Sequence, residues 1–373
     1  VSAGQSFTVE KTGSVTASGN FSNSGTFTMA SDPNEFSSLI VDGTSSGNIT
    51  YNRYVNIAVD SGSNEWDLVG SPVDGLSISS FVSTNSSAIA TSGSTYALGY
   101  YDNSDDSWTN YTTSTAGGAG NLTLGKGYQM ASASGATMAF TGTVATSTQT
   151  QSVINNADSS GRRWNLVANP FPSYINLNTQ AHASNNFLTV NSSIIDGSYL
   201  AVYGYDADGT GYSIYNHAAG DGLSDYIAPG QAFFVAAAST SLNNVSFTPA
   251  MRTTSGGDDF VSGRLAQSDW SRFYLRLYED DNFASETQFY FEQGLSLGLD
   301  PGYDAGAMSQ DDLMSRLVEE DQGIGMAINA MGNDFDDTTV PLVINRDTGV
   351  EFSIRLEDST IPEGVGIYLE DTL

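Results

Sequence analysis

Residues 1–55 consist of very short apolar stretches separated by turn residues. Phe7, Val15, Phe27 and Leu39 each mark such a stretch, and Gly, Asn or Ser follows within a few positions. Strands this short, recurring with turns between them, are typical of a stacked meander or a β-solenoid. The pattern therefore predicts a β-solenoid-like segment over residues 1–55.

The central part of the chain contains an internal repeat. Four segments recur in the same order further along the chain, and each reads as a strand or as a strand, an acidic turn and a returning strand. The repeat predicts two tandem duplicated β-domains, at 65–150 and 160–252. The matching segments are EWDLVGSP (65–72) with RWNLVANP (163–170), YALGYYDNSDDSWTNY (96–111) with YLAVYGYDADGTGYSIY (199–215), GKGYQM (125–130) with GQAFFV (230–235), and MAFT (138–141) with VSFT (245–248).

The last segment, 260–373, shows strict period-2 alternation. In its first clear strand Phe273, Leu275 and Leu277 alternate with more polar residues, which predicts an antiparallel sandwich or jelly-roll. Its final strand is expected to lie outside the sequence. One short helix is predicted at 309–318, with Ser309 as its N-cap and acidic residues in its first turn. The fold class is all-β.

Composition narrows the chemistry. The formal net charge is −30, so neither nucleic acid nor an anionic membrane surface is an expected partner. The chain has no cysteine, and His182 and His217 are its only histidines, which excludes disulfides, thiolate zinc sites and multi-histidine centres. There is no G-x-S-x-G elbow and no apolar run long enough to insert into a membrane. We therefore expect a protein that is not an enzyme and requires no cofactor.

Two features suggest ligand sites. Asp206 and Asp208 alternate before Gly209, an arrangement whose carboxylate oxygens suit Ca²⁺, although Asp-Gly also forms ordinary hairpin turns. Trp108 and Tyr111, near an acidic turn, are the candidates for rings that stack on a glycan. The repeat-equivalent Trp66 and Trp164 are flanked by Leu and Val and are expected in the core of each domain.

Several motifs stand out from residue 164 onward. They are WNLVANPFPSYI (164–175), APGQAFFV (228–235), SFTPAMRT (246–253), GLDPGYDAGA (298–307) and IPEGVGIYLEDT (361–372). Together they resemble the C-terminal portion of large secreted surface proteins of Bacteroidota, which carry a sorting domain for the type IX secretion system. The resemblance covers nearly the whole chain and implies an extracellular or cell-surface location, without fixing an activity. Family members usually continue with more strands after the equivalent of residues 368–371.

Three Asp-Ser/Thr sequences resemble the O-glycosylation signal of this phylum's exported proteins. They make Thr338, Ser359 and Thr372 candidate acceptors. Chance occurrence in a chain rich in Asp and Thr is the alternative.

The chain ends suggest assembly. A jelly-roll without its closing strand leaves an open edge that invites strand addition from another copy. Val1, Ala3, Phe7 and Val9 fall on one face of a period-2 strand, as a donor strand requires. Such a contact joins copies head to tail and builds a filament. The alternative is a trimmed sequence.

The sequence thus predicts a non-enzymatic extracellular structural or adhesive surface protein that polymerises by strand complementation. Its expected partners are further copies of itself, the cell surface or a polysaccharide. The alternatives are a glycan-binding accessory region of a larger secreted polysaccharide-active protein, or an export-associated stalk without a ligand.

Overall fold

The computed structural model describes residues 1–58, 66–156, 162–206, 211–218, 225–254, 256, 270–308, 312–335 and 337–371. The fold is all-β, as the sequence predicts, and its described residues include only two α-helices, α1 (Ile78–Thr84) and α2 (Phe187–Asn191). No described helix has the length and apolar character to cross a bilayer.

The N-terminal segment is a solenoid with parallel sheets along three sides. β1, β4 and β7 stack in parallel on one side, β2 and β5 on the second, and β3 and β6 on the third. Alternate side chains, including Phe27, Met29, Leu39 and Val41, point inward and are buried. The strands are β1 (Ser6–Val9), β2 (Ser14–Ala17), β3 (Phe21–Ser22), β4 (Thr26–Met29), β5 (Ser38–Val41), β6 (Ser45–Ser46) and β7 (Ile49–Val55).

The first copy of the repeat, called repeat 1 here, contains a sheet in the order β11-β10-β12-β8, with β9 paired to β10. Its last strand, β13, pairs antiparallel with the solenoid strand β7, so β7 belongs to both units. The strands are β8 (Asp67–Val69), β9 (Thr91–Ser92), β10 (Thr95–Asp102), β11 (Ser107–Thr112), β12 (Tyr128–Met130) and β13 (Ala136–Gly142).

The second copy, repeat 2, reproduces this arrangement. Its sheet order, β18-β17-β20-β15, matches that of repeat 1 strand for strand, and the β14–β21 pair corresponds to β7–β13. The duplication therefore begins one strand before the tryptophan motif. The strands are β14 (Gln149–Val153), β15 (Trp164–Ala168), β16 (Tyr174–Asn176), β17 (Val202–Asp206), β18 (Gly211–Tyr215), β19 (Tyr226–Ile227), β20 (Ala232–Ala236), β21 (Asn243–Phe247) and β22 (Arg252–Thr253).

The two repeats join through reciprocal backbone hydrogen bonds. Gly70 N donates to Gly230 O at 2.8 Å, and Ala168 N donates to Gly125 O at 2.8 Å. Gly70 and Ala168 are equivalent in the repeat, as are Gly125 and Gly230, so the junction is a pseudo-twofold one. A side chain at Gly70 would collide with the Cβ of Ala168 and lie 2.8 Å from Lys126 O. Close approach of the two backbones therefore requires glycine at position 70.

The C-terminal sheet packs on one face of repeat 2. Tyr274, Tyr290 and Ile328 share a buried cluster with Trp164 and Phe234. The sheet order is β28-β26-β27-β24-β23-β29, with β25 paired to β27, and β24–β27 is a parallel pair. The strands are β23 (Ser271–Glu279), β24 (Asn282–Phe291), β25 (Ala305–Gly306), β26 (Leu313–Ser315), β27 (Met326–Met331), β28 (Leu342–Ile344) and β29 (Ser353–Glu357).

The predicted helix at 309–318 is wrong. Leu313–Ser315 forms strand β26, which pairs with β28 and β27, and Leu313 and Met314 are buried. Pairing on two sides and burial outweigh the local capping signal. Ser309 itself lies outside the described residues.

A buried carboxylate anchors the loop before β25. Asp304 Oδ1 accepts a hydrogen bond from Ala330 N at 2.7 Å, and its Oδ2 accepts one from Asp300 N at 2.6 Å. Burial raises the pKa of Asp304 to about 7. In the same region, burial lowers the pKa of His217 to about 4. The two groups therefore act on stability with opposite signs between acidic and neutral pH.

We predict that Gly70→Ala lowers the free energy of unfolding by about 2 kcal/mol, because the added methyl group forces the repeats apart. Gly117→Ala is the matched control, since a Cβ there meets no atom within 4 Å, and it should change stability by less than about 0.5 kcal/mol. Adding Ala168→Gly to Gly70→Ala should restore part of the loss. Denaturant unfolding measures all three variants, and a neutral Gly70→Ala would contradict the close approach.

We predict a pH-dependent difference between the wild type and Asp304→Asn. The folded state holds the Asp304 proton more tightly than the unfolded state, so this contribution to stability is complete at acid pH and is lost as pH rises through about 7. The stability of the wild type relative to the variant should therefore fall by about 4 kcal/mol between about pH 3 and pH 8. Taking this difference removes the opposing contribution of His217. A difference that does not change with pH would show that Asp304 titrates normally.

Candidate functional site

One face of the repeat 1 sheet carries an unusual set of side chains. One row of cross-strand neighbours runs over β11, β10, β12 and β8. In this order its residues are Asn110, Gly99, Gln129 and Leu68. Because strand side chains alternate between faces, residues two positions away share this face. We call it the amide–aromatic face and define it as Trp66, Leu68, Gly99, Tyr101, Trp108, Asn110 and Gln129.

The floor of the amide–aromatic face is made of amides. Gln129 Nε2 donates to Asn110 Oδ1 at 2.6 Å, which fixes the orientation of both groups. Among the described residues, the Asn110 NH₂ and the Gln129 Oε1 have no other partner. A side chain at Gly99 would collide with Asn110 Oδ1, so glycine keeps the floor shallow. The result is a flat surface that offers both hydrogen-bond donors and acceptors.

Trp108 stands at one end of this floor. Its indole lies 5.4 Å from the Tyr101 ring and 6.1 Å from the Phe234 ring, yet Trp108 is 37% exposed. The Tyr101 hydroxyl donates a hydrogen bond to Asp106 Oδ1 at 2.6 Å. Burial is the main cause that raises the pKa of Tyr101, and the hydrogen bond to Asp106 raises it further. Ring contacts thus hold Trp108 in place while part of it stays accessible.

Trp66 lies at the other end, on β8's side of the sheet. Its expected place in the core is wrong: Trp66 is half-buried, whereas the equivalent Trp164 is 3% exposed. The C-terminal sheet covers the equivalent face of repeat 2, where Tyr203 and Phe234 pack against it. In repeat 1 the positions of Tyr203 and Phe234 are occupied by Gly99 and Gln129. At these two positions the amide–aromatic face therefore lacks the aromatic rings that repeat 2 buries, although its Leu68 and Tyr101 belong to the same hydrophobic cluster.

Tyr111 does not belong to this face. It lies three positions after Trp108 on β11, and so on the opposite side of the sheet, where it packs 5.8 Å from the Tyr100 ring against the solenoid and repeat 1 core. Burial raises the pKa of Tyr111 to about 12. Of the two candidate rings, Trp108 is exposed and Tyr111 is partly buried, and strand alternation places them on opposite faces of the sheet.

Tyr212 is the exposed ring that the sequence reasoning missed. It is equivalent to Trp108 in the repeat, 40% exposed, and 5.9 Å from Phe234. Burial raises its pKa to about 12. Aligning the two acidic hairpins position by position places Tyr212 opposite Trp108. Phe234 lies between the two rings, so an aromatic ridge continues from repeat 1 onto repeat 2.

The calcium prediction has no structural test here. Asp206 ends β17, where its Cα pairs with Gly211, and Asp208 lies outside the described residues. Within the described ranges, no group of three or more His, Cys, Asp or Glu residues is placed to hold a metal ion. Ca²⁺ at this turn stays a prediction.

The N-terminal donor strand is wrong in its geometry. Ala3 lies in a turn in which Gln5 N donates to Ser2 O at 3.0 Å, and Val1 O accepts a hydrogen bond from Ser24 N of the same chain at 2.8 Å. Phe7 and Val9 belong to β1, which pairs in parallel with β4 of the same chain, and Val9 is buried. Residues 6–9 complete their own solenoid, so what the N terminus presents is the unpaired outer edge of β1.

The C-terminal end carries exposed apolar residues instead. Tyr368 is 91% exposed and Leu369 is 64% exposed, and Ile367 next to them is also exposed. These residues form no strand with any described residue. They are strand-compatible residues without a strand partner among the residues that the structure describes.

The candidate glycosylation positions lie at the surface where they are described. Thr338 and Ser359 are exposed and lie outside the strands. The Ser359 hydroxyl accepts a hydrogen bond from Ile361 N at 3.4 Å. Thr372 lies outside the described residues.

Comparison with known proteins gives a family and no function. No curated protein and no solved structure matches the chain. The model of one family, described as a domain of unknown function (DUF8693), matches residues 1–373. Since this match spans the whole sequence, the chain belongs to the DUF8693 family.

Proposed function

We propose that this is a non-enzymatic extracellular adhesive protein that holds a neutral polysaccharide on the amide–aromatic face. The observation that carries the proposal is the partly exposed amide pair of Asn110 and Gln129 between the half-buried Trp66 and the exposed Trp108. Trp108 lies on β11 and Trp66 directly precedes β8; these are the two outer strands of a four-strand path, so about 14 Å of sheet separates them. That is a platform for several sugar units in a row.

The chemistry of the face suits hydroxyl-rich, uncharged rings. Indole and phenol rings present flat apolar surfaces to the C–H faces of pyranoses, and the Asn110 and Gln129 amides offer a donor and an acceptor to hydroxyls. Asp102, Asp105 and Asp106 crowd the adjacent hairpin tip, and the chain carries a net charge of −30. Both features disfavour uronic or sulfated glycans.

We propose a binding function and not a catalytic one because of the shape of the face. Glycoside hydrolysis requires two carboxyl groups facing one another across a scissile bond. A flat floor of amides positions a chain without surrounding it. The extracellular location rests on the resemblance to secreted Bacteroidota proteins.

We predict that Trp108→Ala reduces retention on insoluble neutral polysaccharides by about tenfold, because it removes the most exposed stacking ring. Pull-down on cellulose, mannan and chitin measures the bound fraction. Phe352→Ala is the matched control, since it removes an aromatic ring of similar exposure, 40% against 37%, that belongs to neither proposed binding element. Equal retention of the wild type and Trp108→Ala, or equal losses in both variants, would refute glycan binding at this face.

Self-association by strand addition is the second candidate. The observation that favours it is the exposed segment Ile367–Leu369, together with the unpaired outer edge of β1 at the start of the solenoid. An extended apolar segment gains backbone hydrogen bonds and burial when it adds to an open edge. We propose that the segment of one copy adds to β1 of the next copy.

The two elements are well placed for a head-to-tail contact. The solenoid packs with repeat 1 in one core, and the C-terminal sheet packs with repeat 2 in another. The described hydrophobic clusters contain no contact between solenoid and C-terminal sheet. A copy that donates at one end and accepts at the other therefore does not close on itself, and the assembly extends.

We predict that the wild type assembles at about 1 M salt, where the Debye length of about 3 Å screens the repulsion between acidic copies. Phe7→Asp disables the accepting edge, and Tyr368→Asp disables the donating segment, so each variant alone should stay monomeric. Mixed, they should form dimers only, because each variant retains one working end. Multi-angle light scattering distinguishes these states.

Leu242→Asp is the control for this experiment, because Leu242 is 68% exposed and lies outside both elements. It should assemble like the wild type. A wild type that stays monomeric at every salt concentration, or a mixture that forms long assemblies, would contradict head-to-tail strand addition.

A further inference from the structure

A pocket of about 330 Å³ lies where the end of β24 meets the loop that precedes β25. Its wall includes Trp270, Glu292, Gln293, Asp300 and Tyr303. The volume is at the lower end of the range of about 300–1,000 Å³ in which small-molecule sites fall. The pocket is separate from the amide–aromatic face, which lies on repeat 1.

The rings of the pocket form a stack with Trp270 outermost. The rings of Trp270 and Tyr303 are nearly parallel, with centroids 5.8 Å apart and planes at 16°. The centroid of the His217 ring lies 5.5 Å from that of Tyr303, with the two planes at 56°. No second ring among the described residues contacts Trp270. One face of the indole is thus held by Tyr303, and the other has no aromatic neighbour.

The polar side chains of the pocket are two carboxylates and one amide, and most of their polar atoms accept or donate no hydrogen bond within the described part of the chain. The Glu292 carboxylate and the Gln293 amide have no hydrogen-bond partner in the described part of the chain. Asp300 Oδ2 accepts hydrogen bonds from Ser296 N and Ser296 Oγ, at 2.6 and 2.9 Å, which leaves Oδ1 available. The described lining includes no Lys, Arg or His to neutralise the two acids.

The wall is held in place before any ligand arrives. Asp304 accepts hydrogen bonds from Asp300 N and Ala330 N, and Asn216 Nδ2 donates to Tyr303 O at 2.7 Å. His217 N donates to Gly302 O, also at 2.7 Å. Such anchoring reduces the ordering cost of binding.

We infer that this pocket binds an amine-bearing saccharide, a hexosamine with a free ammonium group. An indole face suits a pyranose ring and attracts the adjacent cation. Two uncompensated carboxylates favour a positive ligand over neutral or acidic sugars. Gln293 offers a donor and an acceptor to the hydroxyls. The inference depends neither on self-association nor on glycan binding at the amide–aromatic face.

The test is a calorimetric titration of the full chain with glucosamine oligosaccharides. Matched titrations use N-acetylglucosamine, glucose and glucuronic acid oligosaccharides of the same length. We expect binding of the glucosamine series to be at least about tenfold tighter than that of the other three, since only it carries the cation. Equal affinity across the series, or no heat with glucosamine oligosaccharides, would overturn the inference.

Variants locate the binding. Trp270→Ala and the nearly isosteric Glu292→Gln should each weaken glucosamine binding by at least about tenfold, and Glu292→Gln should also reduce the preference over glucose. Leu242→Ala should leave it unchanged, since Leu242 is 68% exposed and lies in neither the pocket nor the amide–aromatic face. Near-ultraviolet circular dichroism verifies the fold of each variant. Should Trp270→Ala fail to fold, Glu292→Gln and Trp270→Phe decide, and wild-type affinity in Glu292→Gln would overturn the assignment.

Discussion

The reciprocal backbone pairing of the two repeats is the constraint on which the rest of the architecture depends. Gly70 with Gly230, and Ala168 with Gly125, fix the repeats about a pseudo-twofold axis. The solenoid is attached to repeat 1 through β7, and the C-terminal sheet rests on repeat 2. The solenoid also contacts repeat 2 directly, because Leu39 N donates to Pro172 O at 2.6 Å and Arg252 Nη1 donates to Val41 O at 2.9 Å, and these bonds support the same junction. The junction between the repeats requires the two backbones to approach closely, and this is possible because residue 70 is glycine.

Duplication followed by divergence of one face explains why the two repeats present different surfaces. Repeat 2 presents Tyr203 and Phe234 to the C-terminal sheet, whereas repeat 1 has Gly99 and Gln129 at the equivalent positions, beside the exposed ring of Trp108. The same strand order thus supplies a structural surface in one copy and a polar, accessible surface in the other. The difference lies inside the matching segments, at single positions where the two copies carry different residues, and the overall match of the segments conceals it.

The sequence predicts the architecture well where local pattern decides it, and less well where contacts between distant segments decide it. Short strands with turns indicate the solenoid, and four ordered anchors indicate the duplication. The helix expected at 309–318 fails because pairing with β27 and β28 is nonlocal. Trp66 and Trp164 look alike in sequence, and only the position of the C-terminal sheet separates them. Trp270 and Tyr303 are far apart along the chain, so no local pattern predicts their stack.

Strand β7 has a consequence for the reach of the molecule. It is at once the last strand of the solenoid side and the partner of β13, so no hinge separates the two units. Successive coils contact only their neighbours, and each stacked strand adds about 4.8 Å along the axis. Gain or loss of a coil between β1 and β7 would therefore change the length of the protein in fixed increments. The amide–aromatic face of repeat 1 would keep its orientation relative to repeat 2, and only its distance from the first coil would change.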